Sequence, residues 1–338
     1  MYTLLLIGLI FFAGGNLKHI SSGKVSIPDY PDDVVWIEYK PPHLHKITGI
    51  SFLPPADYES LAFPIKRAGN LILLEAVIDD ISGNLILDTG SSGMVLNSIY
   101  FRQGRKTGGL VAGGITGSTG PLTRTKIRSL QISEMFFEDI TADVLDLGHI
   151  ENARNVKVLG FFGLSLIAGY EVVIDLRNSI LELHPLDQSG HRTSGSNKSP
   201  SMDLNIPVRS SNGVVFLDAL MSEMKLTFCL DTGAEANVLS SQLPGRVLNT
   251  VSIFRRSNLR GAGTHSVEVL YGVMHDFSID DVSLPGMNTI VTNLSAMSRA
   301  FAVRIDGMLG CDFLEKGIFY INLKQNTLGI SLYKEELK

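Results

Sequence analysis

The chain carries one short motif twice. Leu85-Ile86-Leu87-Asp88-Thr89-Gly90 and Phe228-Cys229-Leu230-Asp231-Thr232-Gly233 each run apolar residues into Asp-Thr-Gly. Each is followed by a small residue and then a second apolar run, Met94-Val95-Leu96 in one case and Val238-Leu239 in the other. An apolar run of this length, bounded by turn residues, reads as a buried strand. The carboxylate at its end is carried to the rim of a core and turned by the glycine. One such tripeptide would say little, because Asp and Gly are common turn residues. Two in matching contexts require a chain built from two copies of one unit.

The repeat extends beyond the motif. At the Asp-to-Asp spacing of 143 residues, Phe63-Pro64-Ile65-Lys66 lies over Ile206-Pro207-Val208-Arg209, and Leu74-Glu75-Ala76 over Leu217-Asp218-Ala219. Further on the spacing grows to 147, a four-residue insertion in the second copy. Gly160-Phe161-Phe162-Gly163 then matches Gly307-Met308-Leu309-Gly310, Ile174-Asp175-Leu176-Arg177 matches Ile321-Asn322-Leu323-Lys324, and Leu130-Gln131-Ile132 matches Phe277-Ser278-Ile279. The period is far too long for a solenoid repeat, so the two copies read as two lobes.

The 338 residues suffice for about two domains. With 44% hydrophobic and 19% charged residues the composition is that of an ordinary globular protein. A net charge of −5 gives no reason to expect nucleic acid as a partner. Two cysteines, Cys229 and Cys311, are too few for a disulfide framework and read as buried free thiols, although each sits beside a repeat landmark. No spacing of His, Cys, Asp and Glu marks a metal site, and no cofactor is expected.

Residues 4–15 form an uncharged apolar run. It is short for a membrane span, which takes about 20 residues, and suits the core of an export signal within residues 1–23. Retention as a membrane tether is an open alternative, as is an N-terminal strand. Residues 24–60 read as an irregular extension broken by Pro28, Pro31, Pro41, Pro42, Pro54 and Pro55, with one expected strand at 34–39.

Residues 61–185 form the first lobe. Short β-rich segments at 71–78, 85–87, 126–132, 140–145, 172–176 and 180–183 point to an all-β architecture, with a short helix near 164–168. Between Asp88 and the Gly163 landmark lies a glycine-rich stretch, 108–120, that includes Gly113, Gly114 and Ile115. Such a stretch is expected to be a mobile cover that approaches a ligand closely. Residues 186–203 read as a polar Ser/Gly linker, and 204–338 as the second lobe. Its shorter candidate cover includes Gly261 and Gly263, with His265 expected to be a solvated loop residue and Asp280 and Asp281 turn residues.

Duplicated units commonly pack about a pseudo-twofold axis, where residues near the axis meet their own copies. If the two turns lie there, Asp88 faces Asp231. Two carboxyls at hydrogen-bonding distance do not both ionise readily and share a proton. One is then a base and the other an acid at the same pH, and the two titrate as a pair. A water between them loses a proton to one while the other hydrogen-bonds the carbonyl under attack. That is amide hydrolysis with neither metal nor covalent intermediate.

On these residues the chain resembles the aspartic proteases, both the bilobal pepsin-like enzymes and the retropepsin-like units. Leu87-Asp88-Thr89-Gly90-Ser91-Ser92 is similar to the first active-site motif of that clan, and Leu230-Asp231-Thr232-Gly233-Ala234 to the second. Phe161-Phe162-Gly163 and Met308-Leu309-Gly310 resemble the apolar-apolar-glycine beneath each active-site loop. The resemblance covers residues 61–333. It implies an all-β fold of two pseudo-twofold-related, β-barrel-like lobes. It implies that Thr89 and Thr232 hydrogen-bond across the axis, that Gly90 and Gly233 permit the tight turns, and that Ser91 hydrogen-bonds the Asp88 carboxylate. It also implies that the two glycine-rich stretches are flaps over an extended peptide. The first candidate flap has no Tyr, Ala234 replaces a hydroxyl residue, and pepsin-like disulfides are absent. A pepsin-like specificity and a strongly acidic optimum are therefore not carried over.

The function implied is an exported aspartic endopeptidase (periplasmic, secreted or membrane-anchored), acting on peptides or proteins through Asp88 and Asp231. Both halves lie in one chain, so a monomer is expected. The alternative is a non-catalytic peptide-binding module of the cell envelope that keeps the cleft.

Overall fold

The two motif strands are short of polar residues because they are central. Leu85, Ile86 and Leu87 are all buried, as are Phe228, Cys229 and Leu230, so both faces of each strand meet apolar layers and the usual in–out alternation disappears. Each strand lies between partners from its own lobe. Ile81–Leu87 pairs antiparallel with Leu71–Ile78 and parallel with Val158–Phe162, which pairs in turn with Met94–Asn97. In the second lobe Met224–Leu230 pairs antiparallel with Val214–Met221 and parallel with Gly307–Leu309, which pairs with Asn237–Ser240. The computed structural model describes residues 11–14, 60–102, 105–114, 117–193, 201–211, 213–260, 266–284 and 286–334. The strand expected at 34–39, Ile115, Gly261, Gly263 and His265 lie outside them.

The architecture is all-β, with two copies of one unit. In the first copy Gly117–Ile132 pairs with Met135–Leu145 on one side and Leu71–Ile78 on the other, which closes six strands into a barrel. In the second copy the equivalent strand is broken into Ser266–Met274 and Ser278–Ile279, and the sheet stays open. The inserted residues fall between Asn237–Ser240 and Val251–Arg260, where a short helix, Gly245–Leu248, stands. Phe228, Phe277, Phe313 and Phe319 fill the second core edge to face, with ring centroids 5.3, 6.1 and 5.0 Å apart along the series.

The lobes do not divide as cleanly as the sequence expects. Strands from both build one six-stranded sheet: Leu61–Pro64, Ile180–Pro185 and Tyr170–Asp175 from the first, then Gly317–Asn322, Thr327–Leu332 and Leu204–Pro207 from the second. Its centre pairs Val173 with Tyr320. The axis relating the copies passes between these two strands, because each is the edge of its own half. The linker expected at 186–203 is also partly folded. The Asp187 carboxylate accepts the backbone N–H groups of Ser189 and His191 at 2.8 and 2.9 Å, Arg192 pairs with buried Glu171, and Asn322 donates to the Gly190 carbonyl at 2.9 Å. With its polar groups paired in this way, an aperiodic polar stretch keeps one conformation. Residues 194–200 are not among those described.

Two helices that composition did not announce close the matching corners, Gly148–Arg154 and Ser295–Phe301. Each ends in a left-handed residue, Asn155 and Ala302. The segment expected near 164–168 is a single 3-10 turn, Leu164–Ile167. Among the described residues no helix is long and apolar enough to cross a membrane. Part of the apolar run at 4–15 is a strand, Phe11–Gly14, antiparallel to Arg105–Gly114 with Phe11 opposite Gly113.

Candidate active site

The two Asp-Thr-Gly turns meet back to back, and Thr89 and Thr232 join them. The Thr89 N–H donates to the Thr232 hydroxyl at 3.0 Å, and the Thr232 N–H to the Thr89 hydroxyl at 3.0 Å. Each hydroxyl donates onward into the opposite strand, Thr89 to the Leu230 carbonyl at 2.6 Å and Thr232 to the Leu87 carbonyl at 2.7 Å. Both side chains are buried, so four hydrogen bonds with little access to water hold the turns together. The reciprocity places the pseudo-twofold axis between the threonines.

The rest of each turn repeats the same contacts. Asp88 N–H donates to the Phe162 carbonyl at 3.0 Å and Asp231 N–H to the Leu309 carbonyl at 2.9 Å, so each landmark strand fixes the backbone of its aspartate. Gly90 N–H donates to Asp88 Oδ1 at 2.8 Å and Gly233 N–H to Asp231 Oδ1 at 2.9 Å. Gly163 and Gly310 lie beneath the turns because nothing larger fits. A Cβ on Gly163 would sit 2.5 Å from the Ser91 carbonyl oxygen, and one on Gly310 would sit 2.5 Å from that of Ala234.

The carboxyls of Asp88 and Asp231 lie side by side. Both residues are 0% exposed. A Cβ built on Gly233 would be 2.9 Å from Asp88 Cγ, 3.0 Å from Asp88 Oδ1 and 3.2 Å from Asp231 Oδ1, so this glycine leaves the room in which the pair sits. Burial pushes the Asp88 carboxyl up to about 6, against a hydrogen bond with the Asp231 carboxyl and the backbone N–H groups of Gly90 and Ser91, which favour its ionised form. Asp88 Oδ2 has no donor from the protein. An unsatisfied buried oxygen beside a second carboxyl is a place for a polar ligand atom.

Ser91 hydrogen-bonds the Asp88 carboxyl through its backbone, while its hydroxyl donates to the Gly93 carbonyl at 3.2 Å. The tight turn folds the hydroxyl back on its own loop, and only the Ser91 backbone N–H serves Asp88. Ala234 is fully buried, with its N–H on the Asp231 carbonyl at 3.1 Å and its carbonyl accepting Cys311 N–H at 3.0 Å. Gly113 and Gly114 end the strand Arg105–Gly114, where they pair with Ser118 and Gly117 in a hairpin. This hairpin and the strand Phe11–Gly14 both contact the helix Ser295–Phe301, so the first lobe reaches the second here.

Sequence reasoning missed three residues that tie the second turn to the first lobe. Arg154 pairs with Glu235, its Nε 2.9 Å from Oε1, and Asn70 donates to the Glu235 carbonyl at 2.8 Å. Glu235 was visible as a departure between the copies, since Ser92 occupies the matching position. Nothing in the sequence marked Arg154 or Asn70. Both cysteines are free and buried, Cys229 with its thiol on the Gly307 carbonyl at 3.6 Å and Cys311 with its sulfur 2.9 Å from Arg67 Nη2.

No protein-family model matches the chain, and no curated protein sequence is significantly similar to it. Among solved structures it is similar to an aspartic proteinase from Irpex lacteus, with a TM-score of 0.47 and 12% identity, over 81% of this chain and 98% of that one.

Proposed function

We propose that this chain is an aspartic endopeptidase and that Asp88 and Asp231 activate the attacking water. The observation that carries the reading is the pair of buried carboxyls on symmetric turns, hydrogen-bonded to each other, with Asp88 raised to about 6. Such a pair holds one proton between two oxygens over the weakly acidic range. Proton sharing is the known behaviour of paired aspartates in aspartic proteases, and here the geometry supports applying it.

In the proposed reaction the ionised carboxyl takes a proton from water as the water oxygen bonds to the scissile carbonyl carbon. The protonated carboxyl gives its proton to the carbonyl oxygen, forming a neutral diol. The first carboxyl then passes its proton to the amide nitrogen, a diol hydroxyl returns its proton to the second carboxyl, and the carbon–nitrogen bond breaks. The proton count of the pair is thereby restored. The threonine hydrogen bonds hold the two carboxyls in register through these steps, since a misplacement of about 1 Å is enough to cost about 10²-fold in rate. In this reading the hairpin Arg105–Gly114 covers an extended peptide or protein substrate. The apolar run at 4–15 exports or tethers the protein, and one chain works alone.

The test is cleavage of a mixed peptide library between about pH 3 and 8, the range over which a coupled carboxyl pair titrates. The full chain is compared as parent, Asp88→Asn and Asp231→Asn. The expected result is cleavage by the parent alone, falling as pH rises through about 6 as the shared proton is lost. A folded parent that binds peptide and cleaves none at any pH would instead establish the binding module. Substantial turnover in either single variant would refute the shared pair.

A further inference from the structure

The Asp231 turn is charged on one flank, and the Asp88 turn is not. Glu235 lies four residues after Asp231, with its side chain 1% exposed, and accepts the guanidinium of Arg154, itself 13% exposed, at the end of the first-lobe helix. The contact is two-pronged, Nε to Oε1 and a terminal nitrogen to Oε2. At the matching positions of the other copy stand Ser92 in place of Glu235, Phe301 in place of Arg154 and Gly213 in place of Asn70. There the turn is tied within its own lobe, by the Ser165 hydroxyl donating to the Ser92 carbonyl at 2.9 Å. The fold therefore supports a turn of this kind without an ion pair. A buried pair carries a desolvation cost that an apolar or neutral contact avoids. The pair ties the second turn to the first lobe, but that tie does not by itself require a charged contact.

We propose that Arg154 and Glu235 are positioning residues for the proposed aspartate pair, and that each cancels a charge which would otherwise act on Asp88 and Asp231. This rests on the protease reading for its meaning, but its test does not. The other titratable groups nearby are Cys229, a buried thiol two residues before Asp231, and the cluster of Arg67, Cys311 and Glu315 on the same flank, where Arg67 bonds both Cys311 and Glu315. The first-lobe flank presents Ser91, Ser92 and Ser165, all uncharged. Glu235 and Arg154 are thus an opposed pair whose separate removal unbalances the site in opposite directions. Glu235 is four residues from Asp231, so the two backbones lie within about 14 Å. At that distance and an effective dielectric of about 20, one uncancelled charge moves a carboxyl titration by about one pH unit.

The experiment follows the side-chain carboxyl carbons of Asp and Glu by carbon-13 NMR from about pH 3 to 9, a range that brackets buried carboxyl titrations. It uses the full chain as parent, Arg154→Met, Glu235→Gln and the double variant. Arg154→Met strips Glu235 of its counter-ion. Where Glu235 is ionised the titration of the Asp88–Asp231 pair is expected to rise by about one unit, and the Glu235 carboxyl carbon, followed in the same spectra, reports that state. Glu235→Gln leaves a guanidinium and is expected to lower it by about as much, and the double variant is expected to return near the parent. Loss of a merely structural clamp would lower stability in both single variants and move neither titration. Movement in the same direction in both, or in neither, would overturn the proposal. Should a single variant fail to fold, Arg154→Lys keeps the charge, and a titration that moves by a unit there would overturn it as well. Turnover by the parent is measured separately. Its absence would end the protease reading while the titrations still decide the ion pair.

Discussion

Replacing Asp88 with Asn is expected to make the protein more stable at neutral pH while removing its proposed activity. Asp88 is 0% exposed, and burial lifts its carboxyl from the ordinary 3.8 to about 6. A carboxyl raised in the folded state holds its proton better folded than unfolded. Its contribution to stability is therefore fully present below about pH 4 and is lost as pH rises through about 6. The upward shift is worth on the order of a few kcal/mol and belongs to the coupled pair. Asn keeps an oxygen for the Gly90 N–H, now held at 2.8 Å, and offers an N–H to the Asp231 carboxyl. The stability of the variant relative to the parent should therefore rise in the variant's favour between about pH 4 and about pH 6, by on the order of a few kcal/mol. Asp218, held below the usual carboxylate range by a hydrogen bond from Arg209, titrates in both proteins and cancels from the difference. Urea unfolding followed by circular dichroism at closely spaced pH values measures it. A difference independent of pH, or an Asn variant less stable than the parent at pH 7, would refute the claim that a costly buried charge sits at Asp88.

Thr232→Val removes the acceptor of the Thr89 N–H and the donor to the Leu87 carbonyl, and leaves both buried. Each orphaned group costs about 1–3 kcal/mol, whereas Thr232→Ser keeps the hydroxyl and should lose far less, a contrast that denaturant midpoints will show. Equal losses in the two variants would mean that the methyl, not the hydrogen bonds, holds the turns. Gly233→Ala places a methyl 2.9 Å from Asp88 Cγ and 3.2 Å from Asp231 Oδ1. Peptide turnover should fall by about 10²-fold or more in a protein that still folds, read from kcat and circular dichroism together, and near-parent turnover would show that the carboxyls are not seated as described.

Much of this molecule is written locally. Continuous apolar runs into Asp-Thr-Gly, repeated at one spacing, announced two copies of a β unit with matching turns. The strands at 71–78 and 180–183, and the glycine landmarks, lie where alternation and apolar runs placed them, with ends extended by partners that a local pattern does not see. The helices Gly148–Arg154 and Ser295–Phe301 were illegible because at 7 residues each is too short for a periodic signal and a leucine stands at each cap position, the side chains that accept their first N–H groups, Asp146 and Asn293, lying one residue earlier. The two-lobe division missed the shared six-stranded sheet because strand pairing between copies is a property of docking. The partner of the Ser91 hydroxyl was not legible either: Ser91 meets the Asp88 carboxyl through its backbone N–H, and the curvature of the turn sends the hydroxyl to Gly93.

The sequence by itself determined that two equivalent carboxylates would each stand at the end of a buried strand, since hydrophobic runs and turn residues act over a few neighbours. Only the tertiary structure decided that the two would be neighbours. Their meeting depends on Thr89 and Thr232 exchanging hydrogen bonds across an axis and on burial that excludes water from both acids. It also determined which flank is charged, because Arg154 and Glu235 come together only when the second turn docks on the first lobe's helix. Contacts between residues far apart in the chain carry no local signature, and the electrostatics of a site is made almost entirely of such contacts.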